Sequence, residues 1–156
     1  VGLFNFWKPQ GAAQYISAQD NQRIVAAVRA AEQQTSGEVR VFLETRCKFV
    51  NPIDRAAEIF FGLKMDQTDQ RNGVLVYVAF KDHQFAIFAD QGIYQEMGAD
   101  YWNAEAGKML EDFSKENYVN GLVNVIGDIG QALKQAFPYD NKGDKNELPD
   151  DIVFGS

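Results

Sequence analysis

Ile24, Val25, Val28 and Ala31 recur at helical spacing inside "SAQDNQRIVAAVRAAEQQTSG". The period predicts a first helix over about residues 18–34, capped by Ser17, with Asp20 in its first turn and Gly37 marking its end. "EVRVFLETR" then alternates Val39, Val41 and Leu43 against Arg40, Phe42 and Glu44, the two-residue period of a strand with one more polar face. "NPIDRAAEIFFGLKM" returns to helical spacing, with Asn51 as cap, Pro52 at the first helical position and an apolar stripe of Ala56, Ile59, Phe60 and Leu63. Val74 to Phe80 is almost wholly apolar, the pattern of a strand covered on both faces by helices. "KDHQ" separates it from a third strand, Phe85 to Ala89, too closely for anything but an antiparallel hairpin. Two further helical stretches follow Gly92, with a break near Gly98. A final amphipathic helix runs from about Tyr118 to Phe137 and stops at Pro138.

This order sets up an edge. A helix between the first two strands implies a parallel pair with a right-handed crossover. The starts of strands one and two and the end of strand three then lie at one end of the sheet. Those points carry Glu38, the stretch from Asp66 to Asn72, and Asp90. Glu38, Asp66, Asp69 and Asp90, with the amide oxygen of Asn72, form an oxygen-only donor set of the kind that hard cations such as calcium or magnesium take. The N–H groups of the helix opening at Gly92 could add an anion seat. The alternative is local: Asp90 caps that helix, Asn72-Gly73 makes a tight turn, and the remaining acids are solvated.

Composition narrows the chemistry. With 156 residues, 46% of them hydrophobic, the chain can bury a core as one domain. Twenty-two acids against fifteen bases give a net charge of -7, which argues against nucleic acid and anionic membranes and is compatible with cations. One cysteine, Cys47, and one histidine, His83, remove most zinc and Cys/His nucleophile arrangements. Cys47 reads as a small hydrophobe at a strand end, and His83 as a turn residue. A lone thiol suits a reducing compartment, so a cytoplasmic location is expected, with a periplasmic one the alternative if a leader precedes the numbered chain. No apolar run is long enough to span a membrane, and a monomer is expected.

The expected organisation is an N-terminal extension over residues 1–17, one domain over 18–138 and an acidic tail over 139–156 packed on or near that domain. Asp140, Asp144, Asp150 and Asp151 in the tail do not fit an EF-hand loop, because the glycine comes too early and Lys142 and Lys145 dilute the charge. Phe4, Phe6 and Trp7 at the start offer an aromatic contact surface, for docking on the domain itself or on a partner.

"SGEVRVFLE", "RNGVLVYVAFKDHQFAIFADQGI", "YW", "YVNGLVNVIGDIGQALKQAFP" and "NELPDDI" occur in the order found in TPM domains. Over roughly residues 18–153 the chain resembles that family, which includes photosystem repair proteins of the thylakoid lumen and stand-alone bacterial members. The resemblance implies an α/β fold built as a three-layer α/β/α sandwich around a small mixed sheet, a parallel pair plus an antiparallel hairpin. It also implies an acidic groove that binds a divalent cation, calcium first, with magnesium or manganese as alternatives. Asp90 matches the family's acid after strand three and Glu38 its acid entering strand one. Where the family often has an acid before Arg-Asn-Gly this chain has Gln70, with Asp69 one position earlier. Two functions follow as expectations. One is a non-enzymatic, calcium-binding regulatory or interaction module with a protein partner. The other is a metal-assisted acid phosphatase acting on phosphomonoesters, with Asp90 as its catalytic residue.

Overall fold

Val74, Val76 and Val78 join one apolar cluster while Leu75, Tyr77 and Ala79 join another, and all six side chains are fully buried in the computed structural model. A strand that is apolar on both faces needs a layer on each side. The structure describes residues 16–139 and 152–155. In chain order the elements are α1 (Ala18–Glu32), β1 (Glu38–Glu44), α2 (Pro52–Gly62), β2 (Gly73–Ala79), β3 (Gln84–Ala89), α3 (Gln91–Met97), α4 (Ala99–Ser114), α5 (Tyr118–Ala136) and β4 (Val153–Phe154). The sheet order is β3-β2-β1-β4, with β1 parallel to β2 and β4, and β2 antiparallel to β3.

The expected three-layer arrangement is present, but its layers are unequal. Ile24 and Val28 of α1, Trp102, Met109 and Phe113 of α4, and Leu122, Val125, Ile126, Ile129 and Leu133 of α5 fill the larger core against Val39, Val41 and Leu43. On the other face α2 works alone, setting Ala56, Ile59 and Phe60 on Leu75, Tyr77, Ala79 and Ala86. Truncating a fully buried residue such as Ile126 to Ala costs about 2–5 kcal/mol in a core of this kind. Among the described residues no helix is long and apolar enough to cross a membrane.

Local chemistry accounts for the element ends. Ser17 Oγ accepts from the Asp20 N–H at 3.1 Å, and Asn51 Oδ1 accepts from the Ile53 N–H at 3.0 Å with Pro52 opening the helix. Gly98, at φ +84°, separates α3 from α4. α1 stops at Glu32, two residues before the expected end. The cause is tertiary: Thr35 Oγ1 donates to the carbonyls of Leu133 and Phe137, and Thr35 bridges to Pro138, so the end of α5 pulls the chain out of the helix. The fourth strand was not expected. Two residues carry no period, yet Val153 pairs with Phe42, Phe154 with Leu43, and the Gly155 N–H donates to the Leu43 carbonyl at 2.6 Å. The tail acids Asp140, Asp144, Asp150 and Asp151, and the aromatics Phe4, Phe6 and Trp7, lie outside the described residues.

Candidate functional site

The strand register delivers the expected edge. Glu38 pairs with Gly73 across the parallel ladder, and the Asp90 N–H donates to the Gly73 carbonyl at 2.9 Å, one step beyond the Val74–Ala89 pair. Glu38, Gly73 and Asp90 therefore form one row on the α2 side of the sheet. Glu38 is 3% exposed and Asp90 is 3% exposed, so both carboxylates are enclosed by protein. They stand two strand spacings apart, roughly 10 Å between backbones. Gly73 keeps the middle of the row open to the backbone: a Cβ there would lie 3.0 Å from the Met65 carbonyl oxygen, which occupies that space.

Asp90 is heavily engaged. Its two oxygens accept from Arg71 Nε at 2.7 Å and Nη2 at 2.8 Å, a forked pair, and Oδ1 also accepts from the Gln91 N–H at 2.8 Å. That bond to Asp90, with its neighbouring charge and that of Asp66, holds the Arg71 guanidinium further above its ordinary value. Arg71 itself sits in the left-handed region at φ 51°, which turns its carbonyl onto the first turn of α3. The Gly92 N–H donates to that carbonyl at 2.9 Å and the Ile93 N–H at 3.3 Å. The opening N–H groups of α3 are thus already bonded within the protein, and the anion seat expected there is filled by the chain itself. Gly92 is required by this closeness, since a Cβ would fall 2.2 Å from the Gln70 carbonyl oxygen.

The loop residues divide. Asn72 is 1% exposed; its Nδ2 donates to Ser36 Oγ at 3.3 Å and Gln70 Oε1 at 3.4 Å, while its Oδ1 is buried with no hydrogen-bond partner among the described residues. Asp66 is half-buried, accepts from Gln67 Nε2 at 3.2 Å and lies close enough to act on Arg71. Asp69 is exposed. Gln70, where the family often has an acid, bridges Ser36 and Asn72 instead. Among the described residues no three side chains of the Asp, Glu, His and Cys types stand close enough together to hold a metal ion. The five residues expected to act together share an edge without converging on one point.

Two features escaped sequence reasoning. Arg40 is 2% exposed, two positions along β1 from Glu38 on the same face, so a buried cation belongs to this side of the sheet. Its place in the alternation of "EVRVFLE" was the signal, although an exposed polar face was the simpler reading. The second lies at the far end of β1. Buried Glu44 accepts from Arg55 Nε at 3.0 Å and Nη2 at 2.7 Å and from the Tyr77 hydroxyl at 2.5 Å. Burial, then this bond, pushes the Tyr77 phenol well up, so the group is a closed structural network.

Relatives share the fold. The TPM domain model matches residues 10–132. The solution structure of BA42 protein from the psychrophilic bacterium Bizionia argentinensis is 40% identical, with 90% of this chain and 96% of that one covered and a TM-score of 0.82. The solution structure of the N-terminal domain of cg2496 protein from Corynebacterium glutamicum is 14% identical, covers 87% of this chain and 81% of that one at a TM-score of 0.59, and speaks to the fold alone. No relative among curated proteins matches. With the family model spanning most of the chain, over the strands and loops that build the acidic edge, the protein belongs to the TPM domain family.

Proposed function

We propose that the protein binds a divalent cation, calcium ahead of magnesium or manganese, at the edge formed by Glu38, Asp66, Asp69, Asn72 and Asp90. In this reading it is a regulatory or interaction module, and a protein partner meets the edge that the ion orders. The observation carrying the proposal is Asn72 Oδ1, a buried amide oxygen with no hydrogen-bond partner among the described residues, one residue before Gly73 in the middle of the row that holds Glu38 and Asp90. Such an orphan costs about 1–3 kcal/mol, and a hard cation restores what water would have supplied. Turning the amide over would aim its oxygen at Gln70 Oε1, itself an acceptor. Of the acids, Asp90 is free to act as ligand only when Arg71 lets go. The Arg71 side chain is 36% exposed, so water can take the guanidinium as the ion arrives.

The experiment is a calcium titration of the full chain followed through backbone amide shifts. Saturable changes confined to the segments around Glu38, Asp66 to Asn72 and Asp90 are expected, about ten-fold weaker in Asn72→Ala and in Asp90→Asn. Absence of those changes, or changes that both variants leave intact, overturns the proposal. Hydrolysis of p-nitrophenyl phosphate with calcium or magnesium is expected to be undetectable. Turnover that disappears in folded Asp90→Asn would instead establish the phosphatase reading.

A further inference from the structure

A second polar cluster lies away from the acidic edge, in the cleft between α4 and α5. Glu105 is 2% exposed, yet its Oε1 has no hydrogen-bond partner among the described residues. Its Oε2 is 3.1 Å from Lys108 Nζ, and the same ammonium is 3.0 Å from Asp128 Oδ2. The cleft is open to solvent, has a volume of about 230 Å³ and is lined by Met97, Tyr101, Gln131 and Ala132 beside these three charged residues. That is room for several waters or for a small molecule.

We propose that this cleft binds a small organic primary ammonium ion, with the ammonium donating to Glu105 Oε1. Charge supports the sign of the ligand. Once Glu105 is ionised, above about pH 7, two carboxylates face one lysine, so the cluster carries one uncompensated negative charge and a monocation brings it to neutrality. Lys108 shows the kind of group the carboxylates accept: an ammonium at hydrogen-bond distance from both. Its side chain is 60% exposed and reaches only one oxygen of Glu105; the inner oxygen is sealed inside the protein with no donor among the described residues, and it takes a second donor when the carboxylate turns into the cleft. The organic body of the ligand has its own surfaces. Tyr101 forms a fixed wall, held edge-on against Trp102 at 4.9 Å between ring centres and donating its hydroxyl to the Asp128 carbonyl at 3.2 Å. An aromatic face attracts a cation, and Met97 and Ala132 offer apolar contact to an alkyl chain. A divalent metal fits less well, because only two carboxylates are present and a lysine ammonium already stands between them.

The titratable groups facing Glu105 are Tyr101 and Lys108 from α4 and Asp128 from α5. Burial, followed by a hydrogen bond from the protonated carboxyl to Asp128, pushes the Glu105 carboxyl up to about 7 against the pull of Lys108. An ammonium ligand needs the ionised form, so its binding strengthens as pH rises through that value.

The test is amide shift mapping of the full chain near pH 8 with n-butylammonium as probe, and tetramethylammonium and calcium chloride as comparisons. Saturable shifts are expected at Met97, Tyr101, Glu105 and Gln131. They should be about ten-fold weaker in Glu105→Gln and similarly weakened at about pH 5.5. Tetramethylammonium, which has charge but no N–H donor, should bind at least about ten-fold more weakly. Calcium should leave these residues unmoved. Should Glu105→Gln fail to fold, Asp128→Asn replaces it with the same expectation of weaker binding. The proposal is overturned if n-butylammonium gives no saturable shift, if a folded variant binds it as tightly, or if tetramethylammonium does equally well.

Discussion

Asp90 and Glu105 are equally buried, each beside a basic side chain, and they differ in everything that follows from how fully they are bonded. Asp90 uses both oxygens on an arginine fork and caps a helix besides. Glu105 keeps one oxygen on an exposed lysine and one with no donor among the described residues, and its protonated form hydrogen-bonds a second carboxylate, Asp128. Burial alone therefore does not separate a fully bonded acid from an under-bonded one. Counting donors does. The Asp90 arrangement is built into the backbone, because Arg71 and Gly92 fix the turn that brings the fork into place, whereas the Glu105 arrangement rests on side chains of two packed helices.

The strongest way to break this contrast is Gly92→Ala. The new methyl would meet the Gln70 carbonyl at 2.2 Å and the Arg71 carbonyl at 2.7 Å, both backbone atoms that cannot move aside cheaply. A loss of about 3 kcal/mol in denaturant unfolding is expected. The same substitution at Gly107, where nothing stands within 4 Å of the added atom, should be neutral or slightly stabilising. A small effect at Gly92 would mean that the Asp90 turn is as pliable as the helix-borne cluster.

Second in size is the pH dependence carried by Glu105. Its carboxyl is about 7 in the folded chain against 4.5 ordinarily, so between those values the folded state holds more proton than the unfolded one. Stability must then fall as pH rises from about 4.5 to about 7 and stay level above, with respect to this group. Full conversion is reduced by the water around Lys108, and a fall of about 2 kcal/mol is expected. Glu105→Gln should remove that slope and be the more stable protein near pH 8, which urea unfolding at several pH values checks. A slope unchanged in the variant would show that the buried carboxylate is better satisfied than its one contact suggests.

Much of the architecture was legible because it rests on periodicity. The helical stripes of α1, α2 and α5, the apolar run of β2 and the short gap before β3 each specify a partner layer, and the acidic edge followed from strand directions alone. What could not be read depends on contacts distant in sequence. β4 exists through pairing with β1, and α1 ends early through Thr35 and the end of α5. The site was legible to the level of which residues share an edge. Asp90 binding Arg71 is a matter of one rotamer and one left-handed residue, and no pattern announces either. Glu105 was passed over because, inside "NAEAGKMLEDFS", it is one of several acids on a helix and its burial comes from α5.

Asp90→Ala sharpens the comparison from the other side and should have a smaller effect than either change above. It removes the acceptor for the Gln91 N–H at the start of α3, a loss of about 1 kcal/mol for a cap of this type. Arg71, already partly exposed, can turn into water and need not remain as a buried, unpaired charge. Lys108→Met is the mildest change and the most diagnostic for the other cluster. Lys108 pulls the Glu105 carboxyl down, so its loss should move the Glu105 titration upward from about 7, followed through the side-chain carboxyl carbon. Stability at about pH 5 should barely change, because the Glu105 carboxyl is then protonated and the remaining Lys108–Asp128 pair is a solvent-exposed one, which contributes little. A downward movement, or none, would mean that Lys108 turns wholly to Asp128 in solution. The inner and outer oxygens of Glu105 would then be alike, and the difference in bonding that separates the two acids would have to be sought in burial after all.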